Sequence, residues 1–122
     1  MTDSTIIHFE IPANEPDKLA HFYSRLFCWK ITKLQGDEEY WYIETQPEFE
    51  KGLSGGISSK ESLVKSPVNF FRVDSLDDAL KKVERLGGSI QISPQNVPDG
   101  IWAIVKDPEG NRFALFRDIR PG

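Results

Sequence analysis

The sequence predicts an α+β fold in which two βαβββ modules form a cup-shaped mixed sheet with the helices on its outer face. Three observations lead there. The order strand, helix, strand, strand, strand can be read twice; the two opening strands, headed by His8 and Val68, lie half a chain length apart; and each helix is followed by three strands joined through short turns. A duplicated unit requires the first two. The third argues against a doubly wound parallel sheet, which needs a helical crossover between successive strands. The expected organisation is one domain over 1–122, with a first module at about 5–58 and a second at about 67–118.

In the first module, Thr5 to Ile11 alternates Ile7, Phe9 and Ile11 with Ile6, His8 and Glu10, the period of a half-buried strand. Pro12 ends it. Asn14 is the expected cap of a helix over Asp17 to Phe27, with Pro16 in its first turn and Leu19, Phe22, Tyr23, Leu26 and Phe27 at helical spacing. Strands are expected at Trp29 to Lys33, Tyr40 to Thr45 and Leu53 to Ser58, with a turn at Gly36-Asp37 and a loop from Gln46 to Lys51. Gly55-Gly56 suits a strand that something approaches closely. Lys60 to Ser66 reads as the linker.

In the second module, Val68 to Asp74 is a strand, and Asp74 or Ser75 caps a helix carrying Leu76, Ala79, Leu80, Val83 and Leu86. Gly87-Gly88 ends that helix in the left-handed region. A short strand at Ser89 to Ile92, a loop through Pro94, Pro98 and Gly100, a strand at Ile101 to Lys106, the turn Asp107-Pro108-Glu109-Gly110 and a last strand at Arg112 to Arg117 complete it.

Composition narrows the function classes. The chain has 122 residues, 39% hydrophobic and 28% charged, enough for one packed core. A net charge of -4, with acidic and basic residues interspersed, is the wrong footprint for nucleic acid. Cys28 stands alone, so no internal disulfide forms. With no charged-then-apolar leader and no apolar run of about 20 residues, the expectation is a cytoplasmic protein without membrane contact.

The stretch IIHFEIPANEPDKLAHFYSRLFCWKI resembles the opening of a vicinal-oxygen-chelate domain, the glyoxalase, bleomycin-resistance and extradiol-dioxygenase superfamily. GGIS, PVNFFRVDSLDDALKKVERLGG and KDPEGNRFALF are similar to later signatures of the same family, in order and spanning nearly the whole chain. Cys28 departs from the pattern, since it takes a corner usually held by Gly. Metal-dependent members place His, Glu or Gln at four cup positions. Here the resemblance puts His8 at the first, Val68 at its counterpart, Ala114 on the last strand, and the stretch Ser54 to Gly56 at the fourth. Val and Ala have no lone pair to offer, so the ordinary metal site is expected to be absent, and no cofactor is expected.

Strand alternation divides the remaining residues between two faces. Phe9, Phe71, Phe113 and Leu115 belong under the helices, while Ile6, His8, Glu10, Val68, Phe70, Arg72, Arg112, Ala114 and Phe116 face the cup. The candidate ligand-binding set is His8, Glu10, Phe70, Arg72, Trp102 and Phe116; no catalytic residue is assigned. Each has a plainer reading. His8 is equally a relic hydrogen-bonded within the sheet, Glu10 and Arg72 form a cross-strand ion pair, Phe22, Tyr23, Phe27 and Trp29 pack on the sheet, and Cys28 is buried.

Three function classes follow: a metal-independent binder of a small molecule, a metal-dependent lyase, isomerase or dioxygenase of the glyoxalase type, and an interaction module without a ligand. The missing ligands favour the first. A homodimer is expected, both from the family and because middle strands rich in exposed Tyr and Trp leave apolar area to cover.

Overall fold

The computed structural model describes residues 4–36, 39–46, 53–59 and 65–118. Two compact units divide the chain, Ile7–Val68 and Met1–Ile6 with Asn69–Gly122. The architecture is α+β, and each unit has one helix against one face of a four-stranded mixed sheet. Asp37, most of the expected 46–51 loop and most of the expected 60–66 linker lie outside the described residues. Among the described residues, no helix is long and apolar enough to cross a membrane.

The first unit runs β1 (Ile6–Ala13), α1 (Pro16–Leu26), β2 (Lys30–Lys33), β3 (Tyr40–Glu44) and β4 (Ser54–Ser59). Its strand order is β2-β3-β4-β1, with β1 parallel to β4 and the other pairs antiparallel. Phe9, Ile31, Trp41, Ile43 and Ile57 point to the helix side, where they meet Leu19, Ala20 and Tyr23. Ile43 and Ile57 are fully buried.

The second unit repeats the pattern with β5 (Val68–Arg72), α2 (Leu76–Arg85), β6 (Ser89–Val97), β7 (Gly100–Lys106) and β8 (Arg112–Asp118), in the order β5-β8-β7-β6. Phe71, Ala103, Val105, Phe113 and Leu115 meet Leu76, Leu80 and Val83 of α2. The segment before β1 belongs here, since the Arg72 amide donates to the Thr5 carbonyl at 3.0 Å.

The helix ends show which local signals decide. Ser75 is the N-cap of α2, its hydroxyl accepting from the Asp78 amide at 3.2 Å. Ser75→Ala should cost about 1 kcal/mol in a urea titration, with an unchanged slope. Gly87, at φ 95°, then ends the helix, and the Gly88 amide reaches the Val83 carbonyl at 2.9 Å. Asn14 does not cap α1. The N-cap is Glu15, with no side-chain bond, and Pro16 replaces the cap's contribution by presetting φ and carrying no amide to satisfy.

Two further expectations change. The strand expected at Ser89 to Ile92 continues to Val97, with register shifts at Ile90/Ile92 and Ile92/Gln95. Pro94 is tolerated there because β6 ends its unit's strand order, and the bulges absorb the lost amide. At the Cys28 corner no described non-glycine residue takes a positive φ, so the substitution is accommodated without left-handed backbone; Cys28 itself is exposed, not buried. In the last turn the Asp107 carboxylate accepts from the Asn111 side-chain amide (2.9 Å) and from the backbone amides of Asn111 (2.9 Å) and Glu109 (2.8 Å), and these bonds, the Asn111 side chain foremost, hold its pKa below the usual carboxylate value.

Candidate functional site

On the face of the first unit away from α1, four side chains form one hydrogen-bonded chain. The pairing of β1 with β4 sets His8 beside Ser54, and His8 Nδ1 lies 2.7 Å from Ser54 Oγ. The other ring nitrogen, Nε2, lies 2.8 Å from the Tyr40 hydroxyl, which also stands 3.4 Å from Glu10 Oε2. Tyr42 stacks toward the His8 ring at 6.5 Å.

Tyr40 reaches this position because Gly56 has no side chain. A β-carbon at Gly56 would overlap the Tyr40 hydroxyl and ring, while one at Gly55 would overlap the Phe9 ring on the opposite face. Neither glycine has a positive φ. The Gly55-Gly56 pair is therefore a steric allowance for two aromatic rings, one on each side of the sheet.

Burial sets the protonation states. Desolvation pushes the His8 pKa down from 6.5 to about 4, so the imidazole is neutral at pH 7. Burial and the Glu10 carboxylate raise the Tyr40 pKa, so the phenol keeps its proton. Two proton arrangements satisfy the chain. In one, Ser54 donates to Nδ1, Nε2–H donates to Tyr40, and Tyr40 donates to Glu10. In the other, Ser54 turns to the Ile7 carbonyl at 3.4 Å, Nδ1–H donates to Ser54, and Tyr40 donates to Nε2.

The second unit presents a different surface. Arg72 pairs with Phe116, Phe116 with Trp102, and Trp102 with Gln95, so one register row crosses all four strands on the face away from α2. The next row holds Phe70, Ala114, Ile104 and Ile92. Phe70 meets the edge of Trp102 at 6.3 Å but is only 6% exposed. Trp102 and Phe116 are half-buried, and Arg72 is exposed.

Of the six candidate residues, His8 and Glu10 lie on the first unit's face, and Phe70, Arg72, Trp102 and Phe116 on the second's. The alternation argument placed His8, Glu10, Phe70, Arg72 and Phe116 on the face away from their helix and left Trp102 unplaced; the registers set Trp102 beside Phe116 on that face. It did not place Tyr40 or Gln95, and Ser54 entered only through the resemblance, within the stretch at the fourth cup position. The pairing of Ser54 with His8 follows from the β1–β4 register, that of Tyr40 from the space above Gly56, and Gln95 was hidden because Pro94 made its strand read as loop.

The residues at the four positions that the resemblance implies for a transition metal do not fit one. Both nitrogens of His8 are engaged, Val68 and Ala114 are buried hydrocarbon at 4% and 0% exposure, Ser54 serves His8, and the space at Gly56 holds a phenol. No group of three or more His, Cys, Asp and Glu among the described residues is arranged to hold a metal ion.

Comparisons with known proteins agree on the fold. The model of the Glyoxalase/Bleomycin resistance protein/Dioxygenase superfamily matches residues 5–115. No curated protein matches the chain. Among solved structures, the hypothetical protein BH1468 from Bacillus halodurans C-125 is 11% identical at TM-score 0.73, covering 98% of this chain and 97% of that one. A glyoxalase/bleomycin resistance protein/dioxygenase superfamily member from Vibrio splendidus 12B01 is 13% identical at TM-score 0.67, covering 94% and 99%. Methylmalonyl-CoA epimerase from Mycobacterium tuberculosis is 12% identical at TM-score 0.66, covering 94% and 88%. At such identities these structures share the fold and nothing finer. The family match over most of the chain, with the same doubled βαβββ order, makes this protein a member of the glyoxalase/bleomycin resistance protein/dioxygenase superfamily.

Proposed function

We propose that this protein binds a small, largely apolar or aromatic molecule bearing an anionic or carbonyl oxygen, without a metal, on the second unit's face. The observation that carries the reading is the row Arg72, Phe116, Trp102 and Gln95. Apolar area supplies affinity in such sites and a few polar groups orient the ligand. Here two half-buried aromatic rings lie between a guanidinium and an amide. The Arg72 fork of donors suits a carboxylate, and Phe70 backs Trp102 without offering much surface of its own. His8 is assigned to the internal chain of the first unit, since both of its nitrogens are engaged there.

A thermal-shift screen of aromatic acids, keto acids and amphiphilic drugs tests the reading. A compound at a hundred times its dissociation constant should stabilise the fold by about 2.7 kcal/mol. Arg72→Ala should weaken such a compound by about 1.5–3 kcal/mol, the worth of a charged hydrogen bond. Hits indifferent to both Arg72→Ala and Trp102→Ala would place binding elsewhere. Family membership supports one other reading, a metal-dependent lyase, isomerase or dioxygenase of the glyoxalase type. Near one Zn, Ni, Mn or Fe per chain, retained through chelator washing and lost in His8→Ala, would establish it instead.

A further inference from the structure

The row of side chains on the second unit's face has a length as well as a chemistry. Neighbouring strands lie about 4.8 Å apart, so the three steps from Arg72 on β5 through Phe116 on β8 and Trp102 on β7 to Gln95 on β6 span about 14 Å. Taking a hydrogen bond of about 2.8 Å from each end leaves roughly 9 Å between the outermost polar atoms of a molecule that touches both. One six-membered ring with a polar group at each end is too short for that gap, whereas two rings in line fill it.

The rings between the two ends are set in advance. Phe70 meets Trp102 at 6.3 Å with the planes 71° apart, and the Phe116 ring lies over Gly100, where a β-carbon would stand 2.8 Å from its Cζ. Two fixed aromatic surfaces side by side offer stacking area at little ordering cost. Internal duplication shows that the fold does not ask for this row. With His8 matching Val68, Arg72 falls at Pro12, and the corresponding row of the first unit reads Pro12, Ser58 and Tyr40. There the phenol is taken up by His8 and Glu10.

Gln95 gives the far end its chemistry. The register shift between Ile92 and Gln95 takes Ser93 and Pro94 out of the ladder, and Gln95 Nε2 donates to the Ser93 carbonyl at 3.0 Å. That bond commits a hydrogen of the amide to its own strand, so Gln95 meets a ligand chiefly as an acceptor, through Oε1. We propose that the ligand of this face is a two-ring aromatic acid carrying a hydrogen-bond donor, a hydroxyl or amino group, at the end opposite its carboxylate, and that Gln95 selects for that donor. The proposal rests on the binding role given to this face above and adds to it the length, the second ring and the far-end donor. The Arg72 guanidinium takes the carboxylate, Phe116 and Trp102 carry one ring each, and Gln95 Oε1 accepts from the donor.

Calorimetric titration of the full chain with four acids tests this: para-hydroxybenzoate, para-phenylbenzoate, and para-phenylbenzoate bearing a hydroxyl or a methoxyl at its far para position. The wild type should bind the two-ring hydroxy acid at least about tenfold tighter than para-hydroxybenzoate, through the added apolar area. It should bind the same acid about fivefold tighter than the unsubstituted or methoxy acid, because neither of those has a hydrogen to give Oε1. These comparisons are made on the wild type and depend on no variant's folding. In Gln95→Met, which keeps the length of the side chain without its amide, the three two-ring acids should bind within about twofold of one another. The inference is overturned by a methoxy acid that equals the hydroxy acid, by para-hydroxybenzoate binding as tightly as the two-ring acids, or by a hydroxyl advantage that survives in Gln95→Met. In each of those cases, binding weakened by Arg72→Ala would leave the binding role of the face standing. Binding of none of the four acids, or binding indifferent to both Arg72→Ala and Trp102→Ala, overturns both.

Discussion

Acidification from pH 6.5 to pH 4 is expected to remove about 3 kcal/mol of folding stability through His8 alone. The unfolded histidine titrates at 6.5 and the folded one at about 4, so between those values the unfolded chain binds a proton that the folded chain does not. Stability therefore rises with pH across the window, is complete above 6.5, and is lost as the pH falls toward 4, at up to about 1.4 kcal/mol per pH unit. Protonation would also leave neither nitrogen able to accept, ruling out both arrangements of the Ser54–His8–Tyr40–Glu10 chain and forcing Ser54 and Tyr40 to act as acceptors. Carboxylates titrate near the lower end of the same window. The measurement is consequently a difference, with urea unfolding followed from pH 7.5 to 4 in wild type and His8→Gln. Glutamine keeps a donor and an acceptor but has no proton to gain, so its curve should be flatter by about the His8 contribution. Parallel curves would show that the imidazole is not the group that acid attacks.

Gly56→Val should destabilise the protein by about 3 kcal/mol, although valine favours strands and the backbone at this position needs no glycine conformation. The cost arises from the Tyr40 ring, which the new β-carbon would overlap. Tyr40 can move aside only by giving up His8 Nε2 and Glu10, and a buried polar group left unmatched costs about 1–3 kcal/mol. Tyr40→Ala should be similarly harmful alone, through lost packing and the same broken bonds. The two substitutions should not add, because removing the ring creates the space that valine fills; the double variant is expected to recover about 1–2 kcal/mol relative to the sum. Additive losses in denaturant titrations would mean that Gly56 is needed for a reason other than the phenol above it.

The doubled β-α-β-β-β order was legible in the sequence because each element advertises itself locally. Alternation in IIHFEI gave the first strand and the side on which His8 and Glu10 fall. The run LDDALKKVERLGG carried its own Ser75 cap and Gly87 stop. The elements misread were those whose local signal contradicts their tertiary setting. Pro94 looks like the end of a strand, yet an edge strand with two bulges has no need of its amide. Phe22 and Phe27 have the spacing of core residues, yet the sheet is already covered by Leu19, Ala20 and Tyr23.

What the sequence determined by itself was therefore the element order, the face of each strand residue and the absence of metal-binding side chains at Val68 and Ala114, since these depend on periodicity and on the atoms a residue carries. Only the tertiary structure decided which polar groups meet. Ser54 becomes the partner of His8 through a parallel register between strands more than forty residues apart, and Tyr40 arrives through the room left by a glycine on a neighbouring strand. A hydrogen bond forms over about 3 Å, and a distance of that size between separate strands is fixed by register and packing, which no local pattern encodes.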